Sequence, residues 1–230
     1  LERALSIEEA HYGPDHIETA LTLDRLAACF ADLGRTSAAK DMLEKALAVK
    51  VAQHGDDHYE VAVTLNELGM CHAELGNTHT AKELLERALK ISVAHHGEDH
   101  FEVALIRANL GSRHLVLGDT RTAMEMLGRA LASLEKHYGE NHLKVARVLN
   151  NLSVCHTDIG DMRGAKSLLE RALKIKEDQF GVDHFEVAST LNNLANRHAD
   201  LGELLEATEM LRRTLSIKEA HYGFNHFEVA

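Results

Sequence analysis

The sequence repeats itself every 42 residues. Two series of glycines keep that spacing, one at Gly13, Gly55, Gly97, Gly139, Gly181 and Gly223, the other at Gly34, Gly76, Gly118, Gly160 and Gly202. The octet Leu-Leu-Glu-Arg-Ala-Leu-Lys-Ile also occurs unchanged at 84–91 and 168–175. A fixed period of this length indicates a solenoid, in which each unit buries its apolar face against its neighbours. Such a chain favours an extended binding surface over a single enclosed catalytic pocket.

The first half of each unit predicts a capped helix. In the unit 55–96, Asp57 is the predicted N-cap, and Glu60 three residues later completes a capping box. Apolar residues at helical spacing then predict a helix from about His58 to Leu75. The equivalent predicted caps of the other units are Asp15, Asp99, Asn141, Asp183 and Asn225.

The second half of each unit predicts a helix antiparallel to the first. Gly76 ends the first helix, since glycine adopts the left-handed conformation at little steric cost. Asn77 or Thr78 can cap the second helix, which extends to about His95. No alternation typical of a β-strand occurs anywhere, so the sequence predicts an all-α chain.

The repeat register divides the chain into units whose ends do not coincide with its termini. Residues 1–12 are predicted to be part of a second helix, five complete units follow, and 223–230 begin a sixth. The complete units are 13–54, 55–96, 97–138, 139–180 and 181–222. Both ends cut through a unit, so we expect the chain to be an excerpt of a single longer array. The oligomeric state stays open.

The charge balance argues against two classes of partner. The formal net charge is −11, and no run of five basic residues occurs. A nucleic-acid backbone or an anionic membrane surface is therefore not expected to be the main partner. No apolar run approaches the 18 residues of a membrane span, and no signal-peptide pattern opens the chain. We expect a cytoplasmic protein.

The 17 histidines invite a metal-site hypothesis, because His54 and His58 are four residues apart, as are His96 and His100. Nearly all of them, however, occupy equivalent positions in several units. A residue kept by unit after unit is expected to serve packing or a turn. We therefore predict no metal site and no cofactor.

The cysteines follow the same logic. Cys29, Cys71 and Cys155 occupy one position of their units, and equivalent positions of adjacent helical repeats are expected roughly 10 Å apart, too far for a disulfide. We expect free thiols. Cys71 precedes His72, as Cys155 precedes His156, but a cysteine protease would need such a pair only once. We expect no catalytic residue and no enzyme activity.

The spacing of small residues, leucine and glycine, followed by alanine, a large apolar residue and alanine, resembles the tetratricopeptide repeat. The strings Leu149–Ser153 and Leu191–Ala195, with the turn Gly-x-Asp-His-x-x-Val-Ala, resemble the 42-residue repeats of the kinesin light chain type. The resemblance implies a right-handed superhelical solenoid of antiparallel helix pairs, with the first helices lining a concave groove. It also implies a scaffold for protein–protein interaction that holds an extended peptide segment.

The resemblance assigns groove positions to residues of the first helices. The candidates are Asp24, Asn66, Glu67, Met70, Asn109, Arg147, Asn150, Asn151, Asn192, Asn193 and Asn196. A carboxamide both donates and accepts, so asparagine can bind the backbone of a peptide regardless of its side chains. Alternatively, these asparagines satisfy a helix end or a neighbouring unit within the solenoid.

The charges among these candidates predict the kind of partner. Acidic Asp24 and Glu67 lie in the N-terminal half, and Arg147 is the one base of the set. Arg147 with Asn151 is only a fragment of the carboxylate clamp of chaperone-tail binders, so we predict a neutral or basic extended segment. The alternative function is a sensor array of a larger, NTPase-linked signalling protein, which would bind a ligand or an intramolecular partner.

Overall fold

The computed structural model describes residues 1–223, and all regular secondary structure within them is helical. The N-cap predicted at Asn225 and residues 224–230 of the predicted sixth unit lie outside this part. The helices are α1 (Glu2–Tyr12), α2 (Ile17–Asp32), α3 (Thr36–His54), α4 (Tyr59–Glu74), α5 (Thr78–His96), α6 (Phe101–Val116), α7 (Thr120–Tyr138), α8 (Leu143–Asp158), α9 (Met162–Phe180), α10 (Phe185–Asp200) and α11 (Leu204–Tyr222). The all-α prediction is confirmed.

The helices pack in chain order within two compact regions, Leu1–Gly118 and Asp119–Ala230. In the first region, each of the helices α1 to α5 packs against the helix that follows it, and the contact between α1 and α2 is the smallest. In the second region, each of the helices α7 to α10 packs against the next helix.

Small residues set the distance between paired helices. A Cβ added to Gly69 in α4 would lie 2.9 Å from Leu85 Cγ and 3.3 Å from the Ala81 carbonyl oxygen of α5. Glycine at this position therefore permits the close approach of α4 and α5.

The first helix of each unit begins one residue later than predicted, so the Asp57 N-cap prediction was wrong. His58 is the cap: its backbone is extended, and its Nδ1 accepts a hydrogen bond from the Glu60 backbone N–H at 3.3 Å. Glu60 consequently lies at the second helical position, and the predicted capping box does not form. The same shift by one residue occurs at His16, His100, His142 and His184.

Each capping histidine stacks on an aromatic ring at the end of the preceding helix. His54, the last residue of α3, stacks on His58 with ring centroids 4.4 Å apart and planes at 23°. The equivalent stacks are Tyr12 on His16, His96 on His100, Tyr138 on His142, and Phe180 on His184. The imidazole thus caps one helix while packing against the end of the helix before it. The expectation that these histidines serve the turn is confirmed.

A second series of aromatic positions lies in the last turn of the first helices, beside the start of the second helices. His156 Nδ1 lies 2.8 Å from Asp161 Oδ2, and Asp161 also caps α9 by accepting from the Gly164 N–H at 2.9 Å. Both contacts lower the pKa of Asp161, the backbone bond being the larger cause. In the first unit of the repeat, Phe30 replaces the histidine, and the Arg35 guanidinium lies 4.4 Å from its ring centroid. The position therefore couples the two helices of a pair.

Cys29, Cys71 and Cys155 are free thiols, as expected. Among residues 1–223, no helix is both long and apolar enough to cross a membrane.

Candidate peptide-binding site

Equivalent residues of successive units surround a recurring space, which we call the inter-repeat pocket. It is bounded by a first helix, the second helix that follows it, and the next first helix. Three such pockets, each of which lies within one of the two compact regions, differ in what they contain. A lysine fills the one between α2 and α4, whereas those between α4 and α6 and between α8 and α10 are open.

Lys50 of α3 fills the α2–α4 pocket. Its side chain is 2% exposed, and its ammonium contacts the Asp24 carboxylate, lies 3.4 Å from Glu60 Oε2, and donates a hydrogen bond to Thr64 Oγ1 at 3.0 Å. Burial raises the pKa of Asp24, while the contact with Lys50 acts in the opposite direction. Because Asp24 is engaged by Lys50, this predicted groove residue serves packing between units in the structure.

Glu67 of α4 lies beside this ion pair without a partner of its own. Its Oε2 atom is buried and makes no hydrogen bond. Burial and, secondarily, the negative charge of Asp24 raise the pKa of Glu67 to about 7, although Lys50 lowers it. The carboxyl group is therefore partly protonated near neutral pH. Met70, on the next turn of the same helix, is half-buried.

The α4–α6 pocket has a volume of about 170 Å³. Its lining consists of Tyr59, Val63, Asn66, Ser92, His96, Glu102, Leu105 and Ile106. Glu102 Oε2 lies 3.0 Å from His96 Nε2. Asn109 donates a hydrogen bond to Asn66 Oδ1 at 2.9 Å and is only 8% exposed. Of these two predicted groove residues, Asn66 lines the pocket and Asn109 supports it from behind.

The α8–α10 pocket has a volume of about 330 Å³. Its lining consists of Leu143, Arg147, Asn150, Asn151, Lys176, Phe180, Glu186, Ser189 and Asn193. Lys176 donates to the Glu186 backbone carbonyl at 3.0 Å, and burial lowers the pKa of its ammonium. The structure thus brings four predicted site residues, Arg147, Asn150, Asn151 and Asn193, to one pocket.

The asparagines of this pocket are not equivalent. Asn150 donates to the Ala146 carbonyl at 3.0 Å and accepts from Thr190 Oγ1 at 3.3 Å, so its carboxamide links α8 to α10. Within residues 1–223, Asn151 and Asn193 make no hydrogen bond through their side chains. The alternative reading, that these asparagines satisfy neighbouring units, therefore describes Asn66, Asn109 and Asn150 but leaves Asn151 and Asn193 available.

The remaining predicted residues are distributed differently. Asn196, together with Asn193, lines a separate pocket of about 170 Å³ that reaches Val154 and Arg197. Asn192 is half-buried and lines neither pocket.

The second helices contribute pocket residues that were not predicted from the sequence. Lys50, Ser92 and Lys176 occupy one position of the unit, and the resemblance had confined the groove to first helices. A signal was present, because Lys50 follows Ala39, Leu43 and Ala46 in the spacing of the buried stripe of α3. A lysine at a core position needs a buried partner.

One cluster has the residue types of a metal site. Donor atoms of His96, His100 and Glu102 lie within 4.8 Å of one another. However, the two imidazole planes are stacked at 11°, and His100 Nδ1 already accepts the cap hydrogen bond of α6. Lone pairs in two parallel ring planes cannot both point at one ion, so the geometry serves the cap and the stack.

Comparison with known proteins identifies the repeat. The family model described as tetratricopeptide repeat matches residues 1–50, 46–92, 60–136 and 145–220. Among curated proteins, none matches this sequence.

Solved structures show the same fold at low sequence identity. BtubC (BKLC) from P. vanneervenii is 23% identical with a TM-score of 0.76, over 97% of this chain and 89% of that one. A Podosopora anserina kinesin light chain-type protein with nearly identical TPR-like repeats is 21% identical with a TM-score of 0.69, over 90% and 98%. A Rap protein complexed with Competence and Sporulation Factor is 16% identical with a TM-score of 0.71, over 85% of this chain and 52% of that one.

Tetratricopeptide repeats generally mediate protein–protein interaction. The family model covers most of the chain, and the similar structures include repeats of the kinesin light chain type. The chain therefore belongs to the tetratricopeptide-repeat family, and its repeats are 42 residues long.

Proposed function

We propose that this chain is a protein-interaction scaffold that binds an extended peptide segment at the pockets between successive first helices. One observation carries the proposal: Asn151 of α8 and Asn193 of α10 reach the same pocket with unsatisfied carboxamides. Asparagine is a middling helix former, so two of them in the middle of helices need a reason. Paired donors and acceptors on neighbouring helices match the N–H and C=O groups of an extended backbone.

The charges of the pockets support a neutral or basic segment, in different ways. The α4–α6 pocket carries one carboxylate, that of Glu102, and no lysine or arginine. The α8–α10 pocket carries Arg147 and Lys176 against Glu186, so it suits backbone carbonyls and neutral side chains better than basic ones. We therefore expect the basic residues of the segment at the α4–α6 pocket.

The proposal assigns no catalytic role to the chain. Burial, as the largest cause, raises the pKa of the Cys71 and Cys155 thiols to about 11. Thiols with such pKa values form little thiolate at neutral pH, and thiolate is the nucleophilic form. The two Cys-His pairs thus lack the activated sulfur that covalent catalysis requires.

A random peptide library presented to the purified chain tests the proposal. We expect it to enrich extended neutral or basic sequences, and the Asn151→Ala/Asn193→Ala double variant to bind an enriched peptide about ten-fold more weakly or worse, since two lost hydrogen bonds contribute roughly 0.5–1.5 kcal/mol each. Fluorescence anisotropy measures the affinity. Asn192→Ala is the matched control, because Asn192 lies on the same helix but lines neither pocket.

Three outcomes would contradict the proposal. Undiminished binding by the double variant, with unchanged helicity, would remove the asparagines from the site. Enrichment of acidic peptides would show that the predicted partner chemistry is wrong. A library that enriches nothing would reject the peptide-binding function itself.

A further inference from the structure

We propose that the α4–α6 pocket is a receptor for a lysine-type side chain of the bound partner. This inference names the side chain that one part of the site selects, and it rests on the proposed function for the ligand being a peptide. Its basis is internal to the chain, because the equivalent space one unit earlier is occupied by a lysine of the protein itself.

The correspondence between the two spaces holds position by position. Lys50 contacts Asp24, Glu60 and Thr64. Forty-two residues further along the sequence, these four positions are Ser92, Asn66, Glu102 and Ile106, and all four line the α4–α6 pocket. The open volume is therefore the place where this fold already accommodates a lysine, and Ser92 leaves it empty.

The size and the walls of the pocket fit the aliphatic part of a lysine. The volume of about 170 Å³ slightly exceeds the roughly 150 Å³ of an engineered cavity that binds benzene. Val63, Leu105 and Ile106 supply apolar walls, and Tyr59 adds a partly exposed ring. Lysine characteristically buries its methylene stem along such surfaces while its ammonium reaches a polar group.

The polar end of the pocket has one charge to match. Glu102 is the counterpart of Glu60, which faces the Lys50 ammonium at 3.4 Å. His96 engages Oε2 of Glu102 at 3.0 Å, and within the described residues Oε1 makes no hydrogen bond. Asn66 and Ile106 replace the carboxylate of Asp24 and the hydroxyl of Thr64, so Glu102 is the one anionic group of the lining. A single anion at the end of an apolar channel selects a single cation.

The inference can be tested with a side-chain mimic. n-Butylammonium has the stem and the charge of lysine, and n-butanol is its neutral counterpart. We expect n-butylammonium to shift the methyl NMR signals of Val63, Leu105 and Ile106 saturably, with an affinity up to about five-fold above that of n-butanol, the size of a partly exposed ion pair. Glu102→Gln should abolish this preference.

Filling the pocket provides the complementary variants. Ser92→Lys restores the lysine of the α2–α4 pocket, and Ser92→Met fills the same space without charge. Both should remove the response of the three methyl signals to n-butylammonium. Ser92→Met keeps the test valid if a new buried charge prevents Ser92→Lys from folding. Equal responses to both mimics, or an undiminished response of a folded Ser92 variant, would overturn the inference.

A peptide experiment separates this inference from the proposed function. In a peptide enriched from the library, each lysine is replaced in turn by norleucine, which keeps the stem and removes the charge. Loss of affinity at one lysine in the natural chain, but not in Glu102→Gln, supports the inference. If peptides bind without such a lysine, the inference fails and the function stands. If no peptide binds, the function fails and the mimic titration alone decides the chemistry of the pocket.

Discussion

Replacing Lys50 by methionine should be among the most damaging single changes in α3. Methionine keeps most of the volume but leaves the Asp24 and Glu60 carboxylates facing each other without a cation. Breaking a buried ion pair costs about 3–5 kcal/mol. The carboxylates retain 14% and 23% exposure, so water solvates them in part. We therefore expect Lys50→Met to lower the free energy of unfolding by about 3 kcal/mol.

The same cluster predicts the result of a double-mutant cycle. Asp24→Asn removes one of the two negative charges and keeps the shape of the side chain. In the Lys50→Met background it should therefore cost less than it does alone, with a coupling free energy of about 1–2 kcal/mol. Additive effects would show that Lys50 and Asp24 do not form an energetically significant pair.

Lys176→Met is the matched control at the equivalent position. Lys176 donates to one backbone carbonyl and is half-buried, so its loss should cost about 1 kcal/mol. Urea unfolding monitored by circular dichroism gives the overall change. Hydrogen exchange gives the change in α2–α4 separately, because repeat arrays open locally. If Lys50→Met costs no more than Lys176→Met, the ammonium is not held as described, and the template for the α4–α6 pocket is lost with it.

Three further changes test other parts of the structure. His58→Ala should destabilise the chain by about 1 kcal/mol and Asp57→Ala by less, because His58 is the cap. If thermal denaturation shows that Asp57→Ala is the more destabilising of the two, Asp57 is the cap. Glu67→Gln should exceed the natural chain in stability by about 1–2 kcal/mol at pH 8 and not below pH 4.5. Because burial raises the pKa of Glu67 from its ordinary value of 4.5 to about 7, the natural chain loses stability as the pH rises from about 4.5 to about 7; a difference independent of pH would contradict this. Cys71, with a pKa of about 11, should react with iodoacetamide at least about ten-fold more slowly than exposed Cys29 until urea unfolds the chain, and similar native rates would refute the burial of its thiol.

The fold was predictable because its signals are local and repeated. Gly55 and Gly76 end helices with φ of 84° and 81°, values that glycine adopts without strain, and the same residues recur in unit after unit. The apolar stripe between them fixes which helix faces pack. A sequence with such agreement between turns and stripes specifies an all-α repeat without knowledge of any distant contact.

The helix caps show where local signals become ambiguous. Asp57 and His58 are adjacent, and both side chains can accept a hydrogen bond from a helix N-terminus. Aspartate is the better cap by preference alone. The choice of His58 depends on its stack against His54, which is a contact between the ends of two helices.

The asparagines show the same limit at the site. Asn109, Asn151 and Asn193 are equivalent in the repeat, and the sequence offers no reason to separate them. Asn109 is buried against Asn66, which belongs to the preceding unit, whereas Asn151 and Asn193 remain open to a pocket. Whether an asparagine binds a partner or a neighbour is decided by helix packing.

The sequence by itself determined the repeat, the helices and the family, because those follow from residues close together in the chain. Only the tertiary structure decided what occupies the space between units. Lys50 and Ser92 occupy the same repeat position in successive units. Lys50 fills its pocket and forms a buried ion pair, whereas Ser92 leaves about 170 Å³ open. That difference arises from side chains on three helices meeting at one place, which no single stretch of sequence records.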